Sequence, residues 1–425
     1  MRPGARTPGA EGNGPAKGFT SIPTPAWAVF FLCAWLTALL SITVRDVLPA
    51  RFSYDGDLVL RVAQEKNTFQ VDRSYANTAA AYRLLGLQNT EELTALFGCA
   101  IMVTALTIAT TLGTRGAFKL THLYLGLTFL VLGGVFLTWY SKDVFTLPVV
   151  IVTLLVIKFN PGRWWLIVAT MAVYAAVFRT YWFLIAAVTA GLIVLAYRRH
   201  LSARRYLIRL FGLSQVFLVI FCLAAPFVLG RSANTFRSDL NANREGALDA
   251  VTIISPFVAG DSPVMSYINA VFTQVSLLIP WPLLMRGSQY VLYAVGIFAV
   301  WMTLLVTTVR GWKRLSQKDR HGVHLGLSVL WAMLTVQAIF EPDYGSYLRH
   351  LTPMLPLILG VSLIASRSGD EPTDVAGAND IVLPTSTRGT PDRTEVPTPQ
   401  KGPLEAGTGA SRRSSSPGRG SPTGP

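Results

Sequence analysis

Apolar residues in this chain occur in long blocks separated by short polar segments, and most of the blocks approach the roughly 20 residues that a helix needs to cross a bilayer. The pattern predicts an all-α polytopic membrane protein with about ten spans, several of them extended by flanking residues. The predicted spans lie near residues 27–44, 94–112, 121–140, 144–157, 164–178, 181–197, 210–230, 289–309, 323–340 and 351–365.

One apolar block, residues 266–285, is ambiguous. If it crossed the membrane, the basic segment 310–320 would face the opposite side from the basic segment 198–209, against the positive-inside bias. Pro280 and Pro282 also interrupt a helix, which is tolerated where protein or water covers the backbone. We therefore predict an interfacial or re-entrant piece, with both termini in the cytoplasm.

This topology gives two long outer loops, residues 45–93 and 231–288. In the first, Tyr75, Ala79 and Tyr82 recur at helical spacing, which predicts a short helix lying on the membrane surface.

Composition supports the membrane assignment and sets the domain limits. Hydrophobic residues make up 51% of the chain and charged residues only 14%, which excludes a single soluble domain. The net charge of +14 comes from Lys and Arg on the predicted cytoplasmic side, so it indicates orientation and not nucleic-acid binding. We predict a transmembrane domain over residues 23–365 and disordered cytoplasmic tails over residues 1–22 and 366–425, the latter rich in Pro, Gly, Ser and Thr.

Charged residues of both signs concentrate on the predicted outer side, in the two long loops and three short corners between spans. Each such residue costs a few kcal/mol near the bilayer unless it is solvated or paired, so we predict a shared outer polar cleft. Snorkelling of each side chain into the headgroups is the alternative. The candidates are Asp55, Asp57, Lys142, Asp143, Arg179, Arg231, Arg237, Glu341, Asp343, Arg349 and His350.

These residue types suit the transfer of a lipid-linked sugar. A carboxylate can remove a proton from an acceptor hydroxyl, and Arg or Lys can stabilise a diphosphate leaving group. His350 could act as acid or base near neutral pH, or be a surface histidine at a helix start. Asp55 and Asp57 could hold a divalent cation, although two oxygen donors are too few to claim a metal site and Asp-Gly-Asp is also a turn signal.

Other function classes have little support. The middles of the spans contain essentially no acidic or basic residue, which weakens an ion-coupled transporter. No phosphate-binding Gly-Lys-Ser/Thr loop, HExxH or GxSxG motif is present in the sequence.

Four segments carry a resemblance to a known family, in the order Phe52-Ser-Tyr-Asp55, Trp139-Tyr-Ser-Lys142-Asp143, Arg179-Thr-Tyr181 and Tyr347-Leu-Arg349-His350. With this order, residues 27–365 resemble bacterial O-antigen and exopolysaccharide polymerases. The resemblance implies a multi-pass enzyme of the bacterial plasma (inner) membrane that joins polyprenyl-linked glycan units on the outer face. It further implies that Arg179, Arg231, Arg237 and Arg349 clamp diphosphates, and that Asp55, Asp143 or Glu341 is the base.

Two alternatives stay open. A polyprenyl-phosphate-sugar glycosyltransferase of the C-type membrane fold also has a long first outer loop with an acidic catalytic residue, which Asp55 or Asp57 could match. A non-enzymatic lipid-glycan translocator or assembly scaffold belongs to another class. The expected partners are a polyprenyl-linked glycan, membrane lipids and other membrane proteins of polysaccharide assembly.

Overall fold

The structure, a computed structural model, describes residues 54–64, 72–113, 119–197, 201–242 and 252–367, together with 32–36, 40, 43 and 47. The predicted tails, apart from residues 366 and 367, and most of the predicted first span, 27–44, lie outside the described residues. The described part is helical, and its β-structure consists of an isolated bridge between Ile253 and Asp343.

The described helices are numbered here in chain order. They are α1 (Tyr54–Gln64), α2 (Arg73–Leu84), α3 (Glu91–Thr110), α4 (Leu120–Phe136), α5 (Leu147–Phe159), α6 (Trp165–Val177), α7 (Trp182–Ala196), α8 (Ala203–Leu229), α9 (Ala233–Ala242), α10 (Pro263–Leu278), α11 (Trp281–Leu284), α12 (Ser288–Gly311), α13 (Gln317–Phe340), α14 (Tyr344–Leu351) and α15 (Leu355–Ala365).

Five segments of the described chain are long and apolar enough to cross a membrane: α3, α8, α12 with the turn that follows it, α13, and α14 joined to α15. Helices α4 and α7 are also apolar but shorter. The predicted helical class is therefore confirmed, whereas the count of about ten spans stays a prediction. Hydropathy marks the apolar stretches, but the helix that forms in each is often shorter than a full crossing.

Helix α13 lies at the centre of the bundle. Of its 18-residue apolar stretch 94% is buried, against 22% of that in α8. Helix α13 packs against α7, α15, α10 and α5. Because other helices surround α13, the residues that follow its end at Phe340 start from the interior of the bundle.

The ambiguous block 266–285 forms α10 and α11, which are separated at Pro280 as the prolines predict. Helix α10 packs against both α8 and α13, with Thr273 and Gln274 fully buried. It is thus part of the helical bundle, and the interfacial or re-entrant position stays a prediction. The helix predicted in the first outer loop forms as α2 and packs mainly on α1.

Close packing of α12 on α15 gives a test of the fold. A methyl group at Gly311 would overlap the backbone carbonyl of Ala365. We expect Gly311→Ala to lower the free energy of unfolding by about 1–3 kcal/mol, the usual effect of overpacking, as measured by thermal unfolding in detergent.

Gly212→Ala on α8 is the matched control, because nothing lies within 4 Å of the added methyl group. This change should be neutral or stabilise the helix by up to about 1 kcal/mol. Equal unfolding temperatures for both variants would contradict the close approach of α12 and α15.

Candidate functional site

A cavity of about 580 Å³ lies where the start of α2, the corner between α6 and α7, the end of α13 and the helix α14 meet. Its polar wall combines cations with carboxylate, amide and hydroxyl groups, and its remaining wall is apolar. Its polar lining residues include Tyr75, Lys142, Arg179, Gln337, Glu341, Arg349 and His350.

The corner that carries Lys142 and Asp143 is held in a strained backbone conformation. Tyr140 has a φ of 23°, which L-residues rarely adopt and which costs of order 1–3 kcal/mol. Its fully buried ring packs edge-on against Tyr82, and its hydroxyl donates to the carbonyl of Leu87 at 2.7 Å. Tertiary contacts of the first loop therefore fix where Lys142 and Asp143 point.

Ion pairs connect four elements beside the cavity. Asp143, which is 1% exposed, accepts from Arg179 Nη2 at 2.7 Å and lies 2.7 Å from Arg349 Nε. Arg349 also pairs with Asp55, at the start of α1. Tyr75 donates to the same carboxylate at 2.6 Å. Arg179 and Arg349 line the cavity, whereas Asp55 and Asp143 do not. The two aspartates therefore position the arginines.

Burial and neighbouring charges act in opposite directions on the pKa values of the two aspartates. Burial acts to raise the pKa of Asp143, but Arg179 and Arg349 outweigh it and hold the pKa below its usual range. Burial also acts to raise the pKa of Asp55, but Arg349 and Lys142 outweigh it and lower that pKa. Both carboxylates are therefore anionic at neutral pH, which makes them poor proton acceptors.

Lys142 is the cation of this network that loses its proton most readily. Burial lowers its pKa to about 7, and Arg179 acts in the same direction, while Asp55, 3.7 Å from its Nζ, opposes the shift. The ammonium group also lies over the ring of Tyr75, 3.9 Å from its centre. Lys142 therefore changes charge near neutral pH.

Glu341 and His350 form a second pair on the cavity wall. His350 Nε2 contacts Arg179 Nη1, and a guanidinium can only donate, so Nε2 must accept. The imidazole proton is consequently on Nδ1, which donates to Glu341 Oε2 at 2.8 Å. This bond orients the carboxylate of Glu341, which is 2% exposed.

Two acceptor oxygens on this wall lack a donor among the described residues. They are Oε1 of Glu341 and Oε1 of Gln337, both buried. Buried polar atoms in native proteins are nearly always hydrogen-bonded, so unpaired acceptors at a cavity suggest a ligand that donates. A hydroxyl group supplies such a donor.

Four predicted site residues lie elsewhere. Arg231 forms an exposed pair with Asp239, and Asp57 accepts from the indole of Trp139 at 3.1 Å. Asp343 caps α14 through the backbone N–H of Ser346.

Arg237 is buried behind the cavity, where it donates to Thr273 at 2.7 Å and to the backbone carbonyl of Glu341 at 3.1 Å. Arg231 and Arg237 therefore do not fit the predicted diphosphate clamp. Arg231 precedes α9 and Arg237 lies within it, and the sequence alone does not show whether either side chain points outward or inward.

The sequence reading missed Tyr75 and Gln337 as polar residues of the cavity. Tyr75 enters the prediction only through the helical pattern of the first loop, and Gln337 is not among the predicted site residues, yet both line the cavity. A buried amide at the end of a central helix was the available signal, since such a group needs partners.

The divalent-cation alternative finds no support in this geometry. Asp55 and Asp57 have different partners, and in the part of the chain that the structure describes no three His, Cys, Asp or Glu side chains are grouped to hold a metal ion.

No known family model matches the chain, and no curated protein or solved structure shows significant similarity to it. Function must therefore be argued from the site itself.

Proposed function

We propose that this protein polymerises or transfers lipid-linked oligosaccharide units on the outer face of the bacterial plasma membrane, during synthesis of a cell-surface polysaccharide. One observation carries the proposal: a cavity beside an apolar helical bundle is lined by Lys142, Arg179 and Arg349. Glu341, on the same wall, is a buried carboxylate with one oxygen that has no donor among the described residues. The cations suit a phosphate group and the carboxylate suits a sugar hydroxyl.

The cations of the cavity would bind the leaving group. Arg349 and Arg179 are held by Asp55, Asp143 and His350, and their remaining N–H groups can donate to phosphate oxygens. Lys142 adds a compact charge. When the bond between the anomeric carbon and the diphosphate oxygen breaks, these side chains stabilise the negative charge on the departing lipid diphosphate.

Glu341 is the best-placed base. Its Oε1 would accept the proton of a hydroxyl group on the acceptor sugar. At the same time the hydroxyl oxygen would form a bond to the anomeric carbon of the donor unit. His350 acts through Glu341 as a positioning residue, because its Nδ1–H holds Oε2 and leaves Oε1 free. Gln337, also on the wall, offers a second acceptor to the sugar.

We favour a diphosphate donor over the monophosphate donor of C-type transferases, because Lys142, Arg179 and Arg349 line one cavity and together offer N–H donors for two phosphate groups. The unpaired carboxylate oxygen favours an enzyme over a translocator or scaffold, since transport alone needs no proton acceptor. Polyprenyl-linked glycans, membrane lipids and other polysaccharide-assembly membrane proteins are the proposed partners.

The decisive experiment is to remove the protein from cells and analyse the lipid-linked glycans that accumulate. Single repeat units on a polyprenyl diphosphate would support polymerisation, and a truncated glycan would support the monophosphate-dependent transferase. A normal glycan profile would overturn both.

The pKa of Lys142 predicts that the affinity for an anionic ligand depends on pH. Its pKa of about 7 means that the side chain is cationic below neutral pH and neutral above it, so affinity for polyprenyl diphosphate should fall as pH rises from 6 to 8.5. Fluorescence binding titrations with purified protein would measure the change, which should be up to about tenfold.

Lys142→Arg should bind equally well across this pH range, because arginine stays charged. Lys142→Met should bind weakly throughout. A wild-type protein whose affinity does not change with pH would show that Lys142 does not contact the anion.

A further inference from the structure

A second, apolar groove of about 380 Å³ lies between α4 and α12, with α14 and α15 as its floor. Its walls include Leu127 and Val131 of α4 and Leu292 of α12, which are all exposed. The floor is made by Leu351 and Leu355. Because α12 and the joined α14 and α15 are candidate spans, this groove opens where hydrocarbon would surround the protein.

Helix α14 separates this groove from the charged cavity. Ser346, Arg349 and His350 line the cavity, whereas Leu348 and Leu351 line the groove. At 3.6 residues per turn these two sets lie on opposite faces of the helix. One short helix thus has a face suited to phosphate and a face suited to hydrocarbon.

The groove has a length that suits part of a long chain. From Leu132, near the cavity end, to Tyr124, near its inner end, α4 rises about 12 Å at 1.5 Å per residue. At the inner end the hydroxyl of Tyr124 donates to the carbonyl of Gly296 at 3.0 Å, which ties α4 to α12 below an otherwise open cleft.

We propose that this groove binds the isoprenoid tail of a polyprenyl-linked substrate, with the phosphate end next to α14. The inference rests on the proposed function for the identity of the lipid. Joining two lipid-linked units requires two tails near one cavity, and the apolar wall of the charged cavity, which includes Phe236 and Phe340, lies away from this groove. The groove on the other face of α14 therefore provides a separate binding site for the second isoprenoid tail.

Gly296 offers a direct test. A Cβ added at this position meets only the hydroxyl of Tyr124, at 3.9 Å, so the backbone of α12 has room for a side chain here. Because Gly296 lines the groove, we expect the side chain of Gly296→Leu to occupy part of it. Gly212→Leu, on the exposed face of α8 with nothing within 4 Å, is the matched control.

The full chain would be reconstituted in phospholipid nanodiscs with a polyprenyl diphosphate that carries a photoreactive group on its tail, and the labelled peptides identified. We expect labelling of α4 and α12 that unlabelled polyprenyl diphosphate competes away and added phosphatidylethanolamine does not. Gly296→Leu should reduce it about tenfold, the effect of losing burial of about two methylene groups. Gly212→Leu should leave it unchanged.

Equal labelling of α8, competition by phosphatidylethanolamine, or full labelling of Gly296→Leu would each overturn the proposal. The readout is binding, so it separates this inference from the polymerase assignment. The groove could be labelled as expected while loss of the protein leaves cellular glycans unchanged. That combination would support the binding site and contradict the polymerase assignment.

Discussion

Arg349→Ala is expected to reduce glycan elongation by about 10²- to 10³-fold, the loss typical of removing one preorganised donor to a developing negative charge. The protein should remain folded, because Asp143 keeps its ion pair with Arg179 and Asp55 keeps Lys142 and Tyr75. Chain-length analysis of the polysaccharide, at matched protein levels in the membrane, would measure the effect.

Arg349→Lys should restore only part of the activity, because lysine lacks the planar fork that contacts two phosphate oxygens. Arg231→Ala is the control, since this arginine forms an exposed pair with Asp239 away from the cavity. Normal chain length in Arg349→Ala would remove the diphosphate-clamp proposal.

Arg179→Ala should behave differently from Arg349→Ala. Arg179 is 7% exposed and is the main partner of the buried Asp143, so its removal leaves a carboxylate poorly compensated. Breaking a buried pair costs about 3–5 kcal/mol, and we expect less folded protein as well as less product. The two arginines are therefore distinguishable by protein level.

Glu341→Gln is expected to lower the rate of elongation by about 10²- to 10⁴-fold, the contribution of a general base. The amide keeps the shape of the side chain but does not accept a proton. Arg237 bonds to the backbone carbonyl of residue 341, so that contact survives the change. Single-turnover assays with a purified lipid-linked substrate would report the chemical step separately from binding.

Glu341→Asp should retain more activity than Glu341→Gln, because a shorter carboxylate can still take a proton. His350→Gln should give an intermediate loss and alter the pH profile, as expected for a residue that orients the base. If Glu341→Gln elongates normally, Glu341 is not the general base. If the purified wild-type protein shows no transfer in the same assay, the scaffold alternative gains support.

Much of the helical architecture was predictable because hydropathy measures how each stretch of chain partitions between water and hydrocarbon. Helices α8, α12 and α13 follow from their apolar blocks, and the break between α10 and α11 follows from Pro280. Position along the chain also indicated that the corners at Asp143 and Arg179 would face the same end of the bundle.

The sequence by itself thus determined a helical membrane protein whose mixed charges gather in corners and loops. Only the tertiary structure decided that Arg349 joins Asp55 to Asp143 and that Arg237 points into the bundle. It also decided that one oxygen of Glu341 has no donor in the described part of the chain. The physical reason is that partitioning depends on each residue's own chemistry. The partner of a charge depends instead on distances between elements that lie far apart in the chain.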